Sequence, residues 1–141
     1  MNKSLGPFHL AFPIYNLNIT IKWYTNILGC TIGRQDVKWV DFNFYGHQIS
    51  GHLIDEDDIR LQTNIVDGEN IPARHFGIIL KMNEWKKLSE KLISKNIEFI
   101  IKPNIRFKGQ KGEQSIFFIK DPSGNVLEFK SFKNDEMIFD N

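Results

Sequence analysis

Three side chains in this 141-residue chain have types and placements that could do chemistry together: His9, His75 and Glu128. His9 in "GPFHLAFPI" and His75 in "PARHFGIILKM" each open an apolar run that reads as a buried strand, and they lie 66 residues apart. An imidazole turned to a core without a partner costs free energy, so two such placements ask for something that binds both. Glu128 in "GNVLEFK" sits between Leu127 and Phe129, and strand alternation gives it the same face as Val126 and Lys130. Two imidazoles and one carboxylate form the facial triad that leaves open coordination positions on Fe(II) or a related divalent metal. Singly, each has an ordinary reading: a histidine satisfied by backbone or water, or a glutamate turned to solvent on an edge strand. The joint placement favours the metal.

His52 is the fourth candidate, on the last strand before the chain's midpoint, in approximately the place that Glu128 takes in the second half. It would be a fourth ligand, or an acid or base beside the metal, since imidazole titrates near neutral pH. Ser50 falls on the same strand face, so the register is open by two residues, while His47 points to the other face and is expected in solvent. Arg106 and Lys108, with Lys111, lie in the basic, glycine-punctuated stretch "KPNIRFKGQKGEQ" and could close over an anionic or enolate-bearing substrate. Their ordinary alternative is a solvated loop. Trp23, Trp39 and Trp85 fall at packing positions, and Cys30, past a helix stop, reads as buried and inert.

The elements that must hold these residues repeat. "NLNITIKWYTNILG" predicts a helix over 18–28 with Ile19, Trp23, Ile27 and Leu28 inward, Asn16 or Asn18 as cap and Gly29 as stop. The strands "CTIGR", "KWVDFNF" and "HQISGHLI" follow. In the second half "HFGIIL" is a strand, and "NEWKKLSEKLISKN" is a helix capped by Asn83 with Trp85, Leu88, Leu92 and Ile93 on one face. "IEFII", "QSIFFI" and "NVLEFKSF" complete that half, the last two joined by the tight-turn residues "KDPSGN". The fold expected is α+β: two βαβββ modules, about 7–54 and 74–132, within one domain spanning 1–141. Between them, at about 55–73, runs a polar loop with an acidic cluster at Glu56, Asp57 and Asp58. The tail "NDEMIFDN" is expected as a loose end or a dimer contact.

The bulk numbers bound the rest. A chain of this length, 41% apolar and 25% charged with twelve Phe, builds one domain with a core. A net charge of +1 offers no basic field for nucleic acid or an acidic membrane surface. With one cysteine, no apolar run near the ~20 residues that span a bilayer and no signal pattern, a cytoplasmic protein is expected.

"FHLAF" leading to "WYTNILGC", then "HFGIIL", then "FFIKDPSGNVLEF" together resemble the vicinal-oxygen-chelate superfamily of glyoxalases, extradiol dioxygenases and fosfomycin and bleomycin resistance proteins. The resemblance runs from "FHLAFPI" to "LEFKSF". It implies paired βαβββ modules forming a curved mixed sheet around a divalent metal, Fe(II) first and Ni, Zn or Mn otherwise, held at His9, His75 and Glu128. It also implies a small-molecule substrate that chelates the metal through vicinal oxygens, and a homodimer. A dioxygenase-type activity is expected first, with His52 near the place of that group's acid–base histidine. Against it, the catalytic Tyr those enzymes carry some ten residues before the Glu is replaced in "SIFFIKDPSGNVLE" by Phe117 and Phe118. A glyoxalase-like lyase or isomerase is the alternative, with His52 replacing a carboxylate ligand. The rival outside enzymes is a metal-free, drug-sequestering binding protein.

Overall fold

The computed structural model describes residues 6–55 and 63–139. The acidic cluster Glu56, Asp57 and Asp58 lies outside the described residues. Two compact units divide the chain: one runs to Arg60 and includes Asp121–Asn125, and the other holds Leu61–Lys120 and Val126–Asn141.

The first unit is a βαβββ module. Strand β1 (His9–Ile14) leads to helix α1 (Leu17–Asn26), then to β2 (Thr31–Asp36), β3 (Trp39–Phe44) and β4 (His47–Leu53). The sheet order is β1-β4-β3-β2, with β1 parallel to β4 and the rest antiparallel. Asn16 caps α1 by accepting from the Ile19 amide at 3.0 Å. Gly29, at φ 74°, ends it as the Cys30 amide turns back to the Tyr24 carbonyl. The inward stripe is shifted from the expected one: Thr20, Tyr24 and Leu28 are buried, whereas Ile19 is 53% exposed. The shift follows from Tyr24, which stacks on Phe42 at 4.9 Å, leans on Phe12 at 5.5 Å and takes the centre of the interface between helix and sheet.

The Asp121–Asn125 turn in this unit is built on a buried carboxylate. Asp121 accepts from the Ser123 and Asn125 amides, from the Asn125 side chain and from the Tyr24 hydroxyl at 2.9 Å. Asn125 also donates to the Pro13 carbonyl, and Ser123 accepts from the Tyr15 amide. Burial pushes the Asp121 carboxyl above its ordinary range even though all four hydrogen bonds pull the other way. Burial, then the Asp121 charge, hold the Tyr24 phenol well above its ordinary value.

The second unit repeats the order. Strand β7 (Phe76–Ile79), helix α2 (Met82–Ser94), β8 (Phe99–Arg106), β9 (Gln114–Lys120) and β10 (Val126–Phe132) form a sheet in the order β7-β10-β9-β8, again with one parallel pair. Trp85, Leu88 and Leu92 are buried on one side, where Trp85 meets Phe117 at 5.6 Å and Phe117 stacks on Phe129 at 5.2 Å. Ile93, expected inward, is exposed, and α2 begins two residues early, with Lys81 rather than Asn83 at the cap position and no side-chain capping bond. So the expected pair of βαβββ modules is present, each forming its own four-stranded mixed sheet.

The connector is not a plain loop. Strands β5 (Thr63–Val66) and β6 (Glu69–Pro72) form a hairpin, turned by Asp67 and Gly68 at φ 47° and 81°. Its Ile71 is fully buried in a cluster with Ile101, Ile116, Phe118 and Val126. The basic stretch is also partly strand, because β8 extends to Arg106. The tail folds into a 3-10 turn at Asp135–Phe139, where Asp135 pairs with Lys81 and Met137 sulfur accepts from the Gly112 amide. No helix among the described residues is long and apolar enough to cross a membrane.

Candidate metal site

Glu128 on β10 sits opposite Phe118 of β9 and Gly77 of β7, so these residues share one face of the second sheet. His75 enters that face two residues before Gly77. Its Nε2 lies 3.3 Å from Glu128 Oε2, with the two side chains 25% and 11% exposed. The close approach of β7 to β10 needs glycine: a Cβ on Gly77 would stand 1.5 Å from the Glu128 carbonyl oxygen. An open depression of about 200 Å³, lined by His75, Gly77, Ile79, Glu128 and Lys130 among others, lies over the pair.

The protons on His75 follow from its partners. Nδ1 lies 2.9 Å from the Pro72 carbonyl, which can only accept, so Nδ1 carries hydrogen. Nε2 of the neutral ring then presents a lone pair to the carboxylate. Two acceptors face each other at 3.3 Å, and the contact is attractive only if a proton or a cation stands between them. The other Glu128 oxygen is 3.4 Å from Lys130 Nζ, and the Phe118 ring meets the imidazole edge-on at 5.5 Å. A carboxylate and an imidazole whose Nδ1 is tied to a carbonyl match the donor set and outer-shell pattern of a divalent metal site. The pair thus supplies two of the donors that such a metal takes.

His9 belongs to the first unit, where its Nδ1 is 2.8 Å from Gln48 Oε1. Register settles what spacing left open. His9 pairs with Gln48, Ala11 with Ser50 and Pro13 with His52, while Gly77 pairs with Glu128. With His9 equivalent to His75, the position matching Glu128 is Ser50, and His52 falls two residues beyond it, exposed. Ser50 is buried and donates to Asp41 Oδ1 at 2.5 Å. His47 is half-buried rather than in solvent, and its Nδ1 accepts from the Phe8 amide at 2.9 Å.

Arg106 ion-pairs with Asp67 at 3.5 Å and leans over the Phe107 ring, which ties it to the connector hairpin. Lys108 is exposed. Among the described residues, no group of three or more His, Cys, Asp and Glu side chains is gathered closely enough to hold a metal ion. The structure thus brings His75 and Glu128 together and places His9 in a separate network. Sequence reading missed that network and the carbonyl behind His75. Asp41 interrupting an alternating apolar strand was the one visible signal for the former.

Comparison with known proteins agrees with the topology. The family model described as the Glyoxalase/Bleomycin resistance protein/Dioxygenase superfamily matches residues 6–129. The crystal structure of a glyoxalase/bleomycin resistance protein/dioxygenase from Alicyclobacillus acidocaldarius is 31% identical, covers 99% of this chain and 100% of its own, and superposes with a TM-score of 0.81. The fosfomycin resistance protein FosX from Listeria monocytogenes shares the fold at 18% identity and TM-score 0.67, over 97% of this chain and 98% of that one. So does a putative glyoxalase family protein from Bacillus anthracis, at 15% identity and TM-score 0.65, over 94% and 99%. No curated protein matches the chain. The chain belongs to the glyoxalase/bleomycin resistance protein/dioxygenase superfamily.

Proposed function

We propose that this protein is a metal-dependent enzyme of dioxygenase type, with His9, His75 and Glu128 as ligands of a divalent metal, Fe(II) first, and a small-molecule substrate. The observation that carries the reading is the pair of facing acceptors, His75 Nε2 and Glu128 Oε2, 3.3 Å apart with His75 Nδ1 already committed to a carbonyl. A cation held there supplies Lewis acidity to a substrate that chelates it through neighbouring oxygens. Three protein ligands with open positions suit oxygen chemistry, and Ser50, at the place matching Glu128, offers no fourth carboxylate. His52 is the proposed acid or base, and Arg106 and Lys108 the proposed substrate contacts. The same resemblance carries the proposal of a homodimer.

A second reading, a glyoxalase-like lyase or isomerase, is favoured by Phe118. It stands opposite Glu128 in contact with His75 and brings no phenolic hydroxyl to the site. Metal analysis and turnover separate these readings. Oxygen consumption with a catechol panel, abolished in His75→Ala, supports the dioxygenase; turnover of the methylglyoxal–glutathione adduct without oxygen uptake supports the lyase. Absence of any stoichiometric divalent metal in the purified wild type overturns both.

A further inference from the structure

The two repeat-related histidines reach the same chemical state by different means. His75 is fixed by the Pro72 backbone carbonyl. His9, exposed, is oriented by the Gln48 side chain, which Asp41 orients in turn. Ser50, buried in the first sheet, donates to Asp41 Oδ1, and the other oxygen, Oδ2, lies 3.4 Å from Gln48 Nε2. Because a carboxylate only accepts, the nearer end of the Gln48 amide is its NH₂ group, which turns Oε1 toward His9. Oε1 also only accepts, so His9 Nδ1, at 2.8 Å, carries the hydrogen. The neutral ring is left with a bare Nε2. Strand register builds the relay: His9 lies beside Gln48 and Asp41 beside Ser50, so Gln48 reaches Asp41 on the diagonal of the β3–β4 pair.

We propose that Asp41 and Gln48 are positioning residues that hold His9 as the Nδ1–H tautomer and leave Nε2 free for a divalent cation. The tautomer stands on the hydrogen bonds alone; its use by a cation rests on the reading of His9 as a ligand. An amide locked by a carboxylate does for the first module what a carbonyl does for the second. Outer partners of this kind change metal affinity by about 10–100-fold when removed.

The test is long-range ¹H–¹⁵N correlation of the imidazole nitrogens in the full-length metal-free protein at about pH 8, above the ordinary imidazole value of about 6.5. The signals are assigned through His9→Ala. Wild type should show His9 protonated on Nδ1. Gln48→Met should release the ring toward the Nε2–H form, while Gln48→Glu, which keeps an acceptor but sets a second carboxylate beside Asp41 in place of the NH₂ group, should restore Nδ1–H only in part. His75 should not change in either variant. If Gln48→Met does not fold, Asp41→Asn should give a partial loss of the Nδ1–H form. In a Ni(II) titration, Gln48→Met should bind about 10–100-fold more weakly than wild type. A wild-type His9 protonated on Nε2, or a tautomer unchanged in Gln48→Met, overturns the relay. A tautomer that shifts in Gln48→Met while His9→Ala leaves Ni(II) affinity unchanged supports the relay and overturns His9 as a ligand.

Discussion

At the scale of single residues, the chemistry turns on which atoms already have partners. Lys130 beside Glu128 gives the depression a cation, and its distance of 3.4 Å commits one carboxylate oxygen while the other faces His75. The buried Asp121 carboxylate in the first unit shows the opposite design, with each of its two oxygens accepting two hydrogen bonds. Because burial raises the Asp121 value in the folded state, its contribution to stability is present below about pH 4 and is lost as pH rises through the raised value. Urea unfolding at pH 4 and pH 7 should therefore show the wild type losing stability relative to Asp121→Asn as pH rises. Tyr24→Phe removes a donor to that buried carboxylate and should cost about 1.5–3 kcal/mol in the same assay. His75 and Glu128 were legible in sequence because one opens an apolar run and the other interrupts one. The partners of the His75 and His9 Nδ1 atoms were not legible, because the Pro72 carbonyl belongs to backbone and Gln48 holds an exposed strand position that any polar residue could occupy.

At the scale of elements, each sheet binds its first and last strands in parallel, and that pairing sets the site. Gly77 is the point where β7 and β10 approach too closely for a side chain. Gly77→Ala should separate the strands, and a loss of metal affinity larger than the loss of thermal stability is the expected signature. The connector hairpin belongs to the core of the second unit. Ile71→Ala, at a fully buried position, should cost about 2–5 kcal/mol by urea unfolding, whereas a plain loop residue would cost almost nothing. The "DG" turn inside the connector signalled this hairpin, yet its flanks "TNIV" and "ENIP" show no alternation, since only Ile71 and Pro72 are buried. The face of α1 was read one step off, and that of α2 wrongly at Ile93 alone, for a related reason. Periodicity favours the largest aliphatic residues, Ile19 and Ile93, whereas packing chose Tyr24, held by a buried carboxylate, and Ser89.

At the scale of the whole molecule, the internal repeat carried most of what the sequence revealed. Two equivalent histidines and two helices, each followed by three strands, predicted paired modules, and both sheets have the same strand order. The repeat left one place open where the modules diverge: His52 or Ser50 could match Glu128, a difference of two residues that spacing alone does not resolve, and register assigns that place to Ser50. Sedimentation equilibrium tests the proposed homodimer, with an expected mass twice the 16.5 kDa of the chain. The central claim, that the facing acceptors of the second module hold a divalent cation, is tested most directly by calorimetric titration of Ni(II) into metal-free wild type, His75→Ala and Glu128→Gln. One equivalent bound by the wild type, with affinity lowered at least about 100-fold in both variants, is the predicted result. Saturable binding of equal strength in all three proteins, or none in the wild type, would contradict it.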